Sequence, residues 1–184
     1  MHRQDLINKL NEYRPEFEEE AKFRALFLSF VEANEDCFER SLQIGHVTGS
    51  AWILDLKREK TLLTHHAKLD RWLQLGGHAD GDPDVEAVAM KEALEESGLS
   101  DIKLVSHAIF DIDIHTIPAR KQDPEHLHYD VRFLFEADSS KPLQINHESN
   151  DLQWVPISDL HQYTTERSIL RMAKKTLASA GSDK

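Results

Sequence analysis

The chain has 184 residues, 40% hydrophobic and 30% charged, which is typical of one globular domain and excludes a disordered chain. Its 33 acidic residues outnumber the 22 basic ones, and the net charge of −11 argues against nucleic acid or an anionic membrane as the main partner. Cys37 is the single cysteine, which excludes an intrachain disulfide and a zinc site built from cysteines. The sequence has no apolar segment of membrane-spanning length and no visible secretory signal, so we expect a cytoplasmic protein.

The first 43 residues are predicted to be helical. We expect a short helix over residues 4–12 and a longer one that begins near Pro15 and carries apolar side chains at the spacing of one helix face. This pattern predicts an N-terminal helical extension, residues 1–43, packed on the main domain. A homodimer interface is the alternative use of the same face. The apolar face consists of Phe23, Leu26, Phe27, Phe30, Val31, Cys37 and Phe38.

Short strands dominate the main domain, which we place at residues 44–184. Helices are expected at residues 82–97 and 166–179. The order of these elements, with strands first, one helix between strands and a helix last, predicts an α/β or mixed α+β fold layered around a mixed sheet. The predicted strands are residues 47–56, 61–65, 72–75, 103–115, 127–137 and 152–155.

The most informative segment runs over residues 76–99 and reads GGHADGDPDVEAVAMKEALEESGL. A Gly-Gly pair, interpreted as a turn, precedes a helix with clear ends. Asp82 suits the N-cap, Pro83 the first helical position and Gly98 the left-handed position after the last turn. The sequence therefore predicts a well-bounded helix preceded by accessible backbone.

Three glutamates, Glu92, Glu95 and Glu96, share one side of this helix, within about 100° of its circumference. Lys91 is expected to point away from them. Like charges on a partly covered face repel one another, and a divalent cation removes that conflict. Carboxylate oxygens are the ligands that Mg²⁺ or Mn²⁺ prefers. A solvated surface run is the alternative interpretation.

The segment resembles the box that defines the Nudix hydrolase family, G-x5-E-x7-R-E-U-x-E-E-x-G-U, in which U is a bulky aliphatic residue. Gly77 stands at the first glycine of that box. Two positions depart from it: Pro83 replaces the early glutamate, and Lys91 replaces the arginine, which keeps the charge but not the bidentate fork. The positions in register are Glu92, Ala93, Glu95, Glu96, Gly98 and Leu99.

The resemblance implies a sandwich of helices around a mixed sheet. It also implies metal-dependent hydrolysis of a diphosphate bond in a small molecule, a nucleoside diphosphate linked to another moiety. The resemblance assigns Mg²⁺, or Mn²⁺, to Glu92 and Glu96, with Glu95 either a third ligand or a residue oriented by Lys91. The general base varies in the family. Glu148 is a candidate for it, and an exposed loop acid is the alternative.

Two other functions stay open. Isopentenyl diphosphate isomerase resembles this fold, but its proton transfers use an active-site cysteine, and Cys37 lies in the helical extension. A binding module that senses a nucleotide is the other alternative, because Pro83 and Lys91 depart from the box. The complete set of glutamates favours the hydrolase over the sensor.

Eleven histidines are the outlier in the composition, and several lie on two alternating segments, residues 111–115 and 126–132. If these strands pair as a hairpin, one register sets His115 near His126, Asp113 near His128 and Asp111 near Asp130.

This polar face has three interpretations: the solvent-exposed side of a sheet, the lining of a substrate pocket, or a second metal site. His2, His46, His107, His147 and His161 form no constellation in the sequence. The candidates for substrate or second-metal contact are Gly76, Gly77, His78, Asp113, His115, His126, His128 and Asp130.

Overall fold

The computed structural model describes residues 2–120, 124–147 and 149–180. In that part of the chain the helices are α1 (Gln4–Glu12), α2 (Glu18–Ala33), α3 (Val85–Ser97) and α4 (Arg167–Ala180), with a 3-10 helix at Ile157–Gln162. The strands are β1 (Gly45–Asp55), β2 (Lys60–His66), β3 (Arg71–Leu73), β4 (Leu75–His78), β5 (Lys103–Leu104), β6 (Asp111–Ile117), β7 (His126–Ala137) and β8 (Ser149–Pro156). This mixture of helices and strands confirms the predicted α/β fold class.

The strand pairs follow a simple order. β1 pairs with β2, β4 and β7; β2 also pairs with β3 and β8; and β7 also pairs with β5 and β6. Two predicted strands are each divided in the structure. Residues 72–75 fall on β3 and β4, and residues 103–115 fall on β5 and β6.

None of the helices in the described ranges is long and apolar enough to cross a membrane.

The described part of the chain divides into two compact units. The first comprises the described residues within 1–50, 76–89 and 107–133, and the second those within 51–75, 90–106 and 134–180. The predicted domain boundary at residues 43 and 44 stays a prediction.

In the first unit, the long predicted N-terminal helix is shorter than expected. It begins at Glu18 rather than near Pro15, because the Glu20 carboxylate accepts the backbone N–H groups of Glu16 and Phe17, both at 2.9 Å. It ends at Ala33, so Cys37 and Phe38 of the predicted apolar face lie beyond it.

Apolar residues of α2 pack against the strands of the first unit. The Phe30 ring stacks on Tyr129 of β7 with ring centroids 3.8 Å apart, and Phe27 contacts the same ring edge-on at 5.4 Å. Phe27 and Val31 are fully buried, whereas Leu26 is 57% exposed. This packing removes most of the predicted face from solvent.

β6 and β7 form the predicted hairpin, but the proposed register is wrong by two residues. His115 lies opposite His128 instead of His126, and Asp113 lies opposite Asp130 instead of His128. A shift of two residues keeps each side chain on its expected face, because the strand period is two. The long loop between the strands left the register undetermined by local sequence.

The second unit is built on antiparallel pairs of β2. Leu63 lies opposite Gln153 of β8, and Thr64 lies opposite Leu73 of β3. The indole N–H of Trp52, which is fully buried, donates to the Thr176 hydroxyl of α4 at 3.0 Å. Trp52 therefore belongs to the core of the second unit.

Candidate functional site

The two glycines before α3 lie in a strand rather than in the predicted turn. Gly76 belongs to β4, where a Cβ atom would lie 2.3 Å from the Ser50 hydroxyl oxygen and 2.8 Å from the carbonyl oxygen of Gly49. Only glycine allows this close approach of β4 to β1. Gly77 follows it in the same strand. The turn comes later, at Asp80 and Gly81, where φ is 50° and 86°.

Residues near the end of the helical extension hold this turn within the first unit. The Gly81 N–H donates to the carbonyl of Phe38 at 3.0 Å. The Arg40 guanidinium binds both carboxylate oxygens of Asp80, a bidentate pair. The path of the loop that leads into α3 therefore depends on residues outside the resemblance to the Nudix box.

Helix α3 begins three residues later than predicted, because Asp84 rather than Asp82 is its N-cap. The Asp84 carboxylate accepts the N–H of Ala87 at 3.0 Å, while Asp82 accepts the N–H of Asp84 at 2.9 Å and shapes the preceding turn. At the other end Gly98 has φ 70°, which confirms its predicted left-handed position.

The three glutamates of α3 differ in exposure. Glu96 is 6% exposed, the Glu92 side chain is 17% exposed, and the Glu95 side chain is 59% exposed. Lys91 does not point away as expected, since its Nζ lies 4.0 Å from a carboxylate oxygen of Glu92 and 4.0 Å from one of Glu95. The Lys91–Glu95 pair is exposed and contributes little stability.

Glu92 and Glu96 therefore fit a hard divalent cation better than Glu95 does. They stand one turn apart on the same helix face, and both are largely shielded from solvent. Two shielded carboxylates side by side repel each other unless a cation lies close by. The three carboxylates together do not come within 4.8 Å of one another in the described chain. Glu148 lies outside the described residues.

A second group of chemically active side chains is the histidine cluster of the first unit, formed by His46, His78, His115, His126 and His128. The His128 ring contacts the other four, with centroids 4.9 to 5.4 Å apart. His46 contacts three of them at 4.9 to 5.0 Å.

The sequence interpretation missed His46, since it formed no constellation with neighbours in the chain. A signal was present in the polar alternation of His46, Thr48 and Ser50 along β1.

Three imidazoles of the cluster are held neutral at pH 7. Burial, reinforced by His126, lowers the pKa of His46 to about 4. Burial and the charge of Arg40 lower the pKa of His78 to about 4, and burial with His78 lowers the pKa of His128 to about 2. Each ring therefore carries one unprotonated nitrogen that can accept a hydrogen bond or bind a metal.

The same strand face continues into a buried charge network. The Arg132 guanidinium, 2% exposed, donates to Asp130 at 2.7 Å and to Asp111 at 3.1 Å, and it lies 3.5 Å from Asp113. Although burial alone lowers the pKa of Arg132, these three carboxylates raise it above its ordinary value. Thr48 and Ser50 donate their hydroxyls to the other oxygen of Asp130, both at 2.8 Å.

This network shows that the solvent-exposed interpretation is wrong for the aspartate part of the strand face, whereas the His115 side chain is 40% exposed. Asp111 is fully buried, Asp130 is 1% exposed and Asp113 is 9% exposed. Asp113 also joins the network to the histidine cluster, because its carboxylate accepts from the Nδ1 of His115 at 3.1 Å. Pocket lining and metal binding are the interpretations that stay open.

Residues 45–175 match the family model of the NUDIX domain. None of the curated proteins compared with the chain matches it.

Solved structures with a similar fold include the Ap4A hydrolase of C. elegans, at 16% identity and TM-score 0.56, over 74% of this chain and 98% of that one. The E. coli dihydroneopterin triphosphate pyrophosphohydrolase is similar at 13% identity and TM-score 0.57, over 70% and 92%. The NUDIX domain of Shewanella oneidensis NrtR, crystallised with ADP ribose, is similar at 17% identity and TM-score 0.51, over 77% and 92%.

Proposed function

The chain belongs to the Nudix hydrolase family, whose members cleave nucleoside diphosphate-linked substrates, and we propose that it hydrolyses a diphosphate bond with the help of a divalent cation. The observation that carries this proposal is the placement of Glu92 and Glu96. Both occupy box positions in register, and both are shielded on successive turns of α3.

Glu92 and Glu96 would hold Mg²⁺ or Mn²⁺, with carboxylate oxygens as the ligands that these ions prefer. The ion would supply positive charge to the phosphate oxygens, on which negative charge develops as water attacks phosphorus. Lys91 would add positive charge beside Glu92 and Glu95, since its Nζ lies 4.0 Å from each carboxylate. A lysine does this as a point charge, without the two-pronged contact of an arginine.

We propose a nucleotide-derived small molecule as the substrate. The similar structures are two enzymes named for Ap4A and for dihydroneopterin triphosphate and a domain crystallised with ADP ribose, and the feature that all three compounds share is a chain of linked phosphates. The comparison therefore does not identify the group that is linked to the diphosphate in the substrate of this chain. Glu148 remains a proposed general base, and the homodimer and the cytoplasmic location remain predictions from the sequence.

The test is a phosphate-release screen over nucleotide sugars, dinucleoside polyphosphates, ADP-ribose and nucleoside triphosphates, with Mg²⁺ and with Mn²⁺. We expect turnover that falls at least about 100-fold in Glu96→Gln and in Glu92→Gln, the loss typical of removing one transition-state electrostatic contact. Glu95→Gln should lose much less, because Glu95 is exposed. Glu12→Gln, an exposed acid on α1, is the matched control and should keep full activity.

A nucleotide sensor is the second candidate, favoured by two observations. Pro83 and Lys91 replace charged or bidentate residues of the box, and a NUDIX domain of similar fold was crystallised with ADP ribose. Tight binding of one screened compound without turnover by the unmodified chain would favour the sensor. It would contradict the hydrolase proposal.

A further inference from the structure

We propose that His46, His78 and His128 form a binding site for a first-row transition-metal ion with a preference for imidazole, such as Zn²⁺. The three side chains each offer a ligand atom, and these atoms all lie within 4.8 Å of one another. All three residues belong to the first unit, so the site does not depend on Glu92 and Glu96. The inference stands or falls independently of the proposed hydrolysis.

The strand order explains why these three residues meet. β1 pairs with β4 on one side and with β7 on the other, and each strand supplies one histidine. His46, on the middle strand, lies 5.0 Å from His78 and 4.9 Å from His128 between ring centroids, and His78 lies 4.9 Å from His128. The rings thus form a nearly equilateral triangle, the arrangement by which three histidines leave one metal position open.

The second observation is a set of buried nitrogen atoms that lack hydrogen-bond partners in the described part of the chain. Within the histidine cluster they are the Nε2 of His128 and, by hydrogen-bond geometry, the ring nitrogens of His46, one of which also interacts with the backbone of Leu42. His46 is only 3% exposed. A buried polar atom left without a partner costs free energy, and such atoms are uncommon in native proteins. A metal ion bound at the one lone pair of each neutral ring removes the part of that cost that comes from the unpaired lone pairs.

In the other two members of the histidine cluster the Nδ1 atom is already engaged, so Nε2 is the nitrogen available to a metal ion. The Nδ1 of His126 lies 2.9 Å from the carbonyl oxygen of Pro124, and because a carbonyl only accepts, Nδ1 carries the proton. The Nδ1 of His115 likewise donates to Asp113. A histidine that binds a metal through one ring nitrogen usually donates the N–H of its other ring nitrogen to a carbonyl or a carboxylate. His126, with its ring 5.0 Å from His46, is the nearest candidate for a fourth ligand.

The donor set decides the class of ion. Imidazole nitrogens suit Zn²⁺, Cu²⁺, Ni²⁺ and Fe²⁺, whereas Mg²⁺ keeps water and oxygen ligands. The three ligands include no carboxylate, so Mg²⁺ is not expected to compete. The chain would then hold two different cations with two different sets of donors.

The experiment uses the full-length chain without a histidine tag, dialysed against a chelator and titrated with Zn²⁺ by calorimetry in excess Mg²⁺. We expect one equivalent of Zn²⁺ to bind and to raise the thermal midpoint. His78→Asn and His128→Asn should each weaken binding by more than about 100-fold, beyond the effect typical of losing a supporting partner. His107→Asn is the matched control, because His107 is exposed beside Glu86 in the same unit and outside the cluster.

Replacing Zn²⁺ with Co²⁺ gives a readout that a structural role would not produce. A site with three nitrogen ligands should show visible absorption bands in the unmodified chain and in Glu96→Gln, and these bands should be lost in His78→Asn. Circular dichroism verifies that each variant folds; if His128→Asn does not, the half-buried His78 carries the test alone. Absence of stoichiometric Zn²⁺ binding, or equal affinity in His78→Asn and His107→Asn, overturns the proposal.

Discussion

Arg132 provides the sharpest test of the energetics of the first unit. Its guanidinium contacts the carboxylates of Asp111, Asp113 and Asp130 at distances of 2.7 to 3.5 Å. Methionine has a similar length and removes the charge. In Arg132→Met, three largely buried carboxylates would face one another with no guanidinium between them.

The expected cost follows from the burial of these groups. Arg132 is 2% exposed and Asp111 is fully buried, so solvent cannot replace the missing charge. Removing one partner of a buried ion pair typically costs about 3–5 kcal/mol. For a chain of this length, that cost lowers the thermal midpoint by about 6–20 °C, at about 2–4 °C per kcal/mol.

The assay is urea unfolding followed by circular dichroism and tryptophan fluorescence, at neutral pH and again under mild acid. The deficit of Arg132→Met should shrink in acid, because protonated carboxyl groups do not repel one another. Adding Asp130→Asn to Arg132→Met should recover part of the loss. Arg71→Met is the matched control, since Arg71 is 65% exposed in a surface pair with Glu166 and should cost less than about 1 kcal/mol. Equal losses in Arg132→Met and Arg71→Met would refute the reasoning.

The remaining predictions concern pH, a glycine and a helix cap. In the unfolded chain His46, His78 and His128 take up protons at the ordinary pKa of histidine, 6.5. In the folded chain the pKa is about 4 for His46 and His78 and about 2 for His128, so the rings stay neutral to lower pH. The free energy of unfolding of the metal-free chain should therefore be highest above about pH 6.5 and should fall as the pH drops towards 4. Urea midpoints at about pH 7.5 and about pH 5 check this, and a midpoint that rises on acidification would contradict it. Gly76→Ala should lower the thermal midpoint and the soluble yield, because its Cβ would lie 2.3 Å from a hydroxyl oxygen of β1; a variant as stable as the unmodified chain would show that β4 can move aside. Asp84→Ala should cost about 1 kcal/mol as the loss of an N-cap, whereas Asp82→Ala should cost less, and the opposite ranking in urea unfolding would restore Asp82 as the cap.

Local patterns in the sequence were sufficient for much of the fold. The glutamates of α3, the left-handed Gly98 and the alternation of β6 and β7 are all set by neighbours a few residues away, which is the range over which helix and strand periods act. The box at residues 77–99 also indicated the family, because its glutamates and glycines have defined spacings within one helix and its flanking loops.

The exact ends of elements were less predictable. Asp82 and Asp84 are both good N-cap residues by type, and only the hydrogen bond to Ala87 distinguishes them. The Gly-Gly pair likewise has the composition of a turn, but the contact of Gly76 with β1 places it in a strand. Such choices depend on atoms that come from elsewhere in the chain.

The histidine cluster was decided by tertiary structure alone. His46, His78 and His128 are separated by tens of residues, and they meet only because β1 lies between β4 and β7. The burial of Arg132 with its three aspartates has the same origin, since a polar strand face looks identical in the sequence whether it meets water or protein. Side-chain periodicity specifies which face a residue occupies, whereas strand order and packing determine what that face touches.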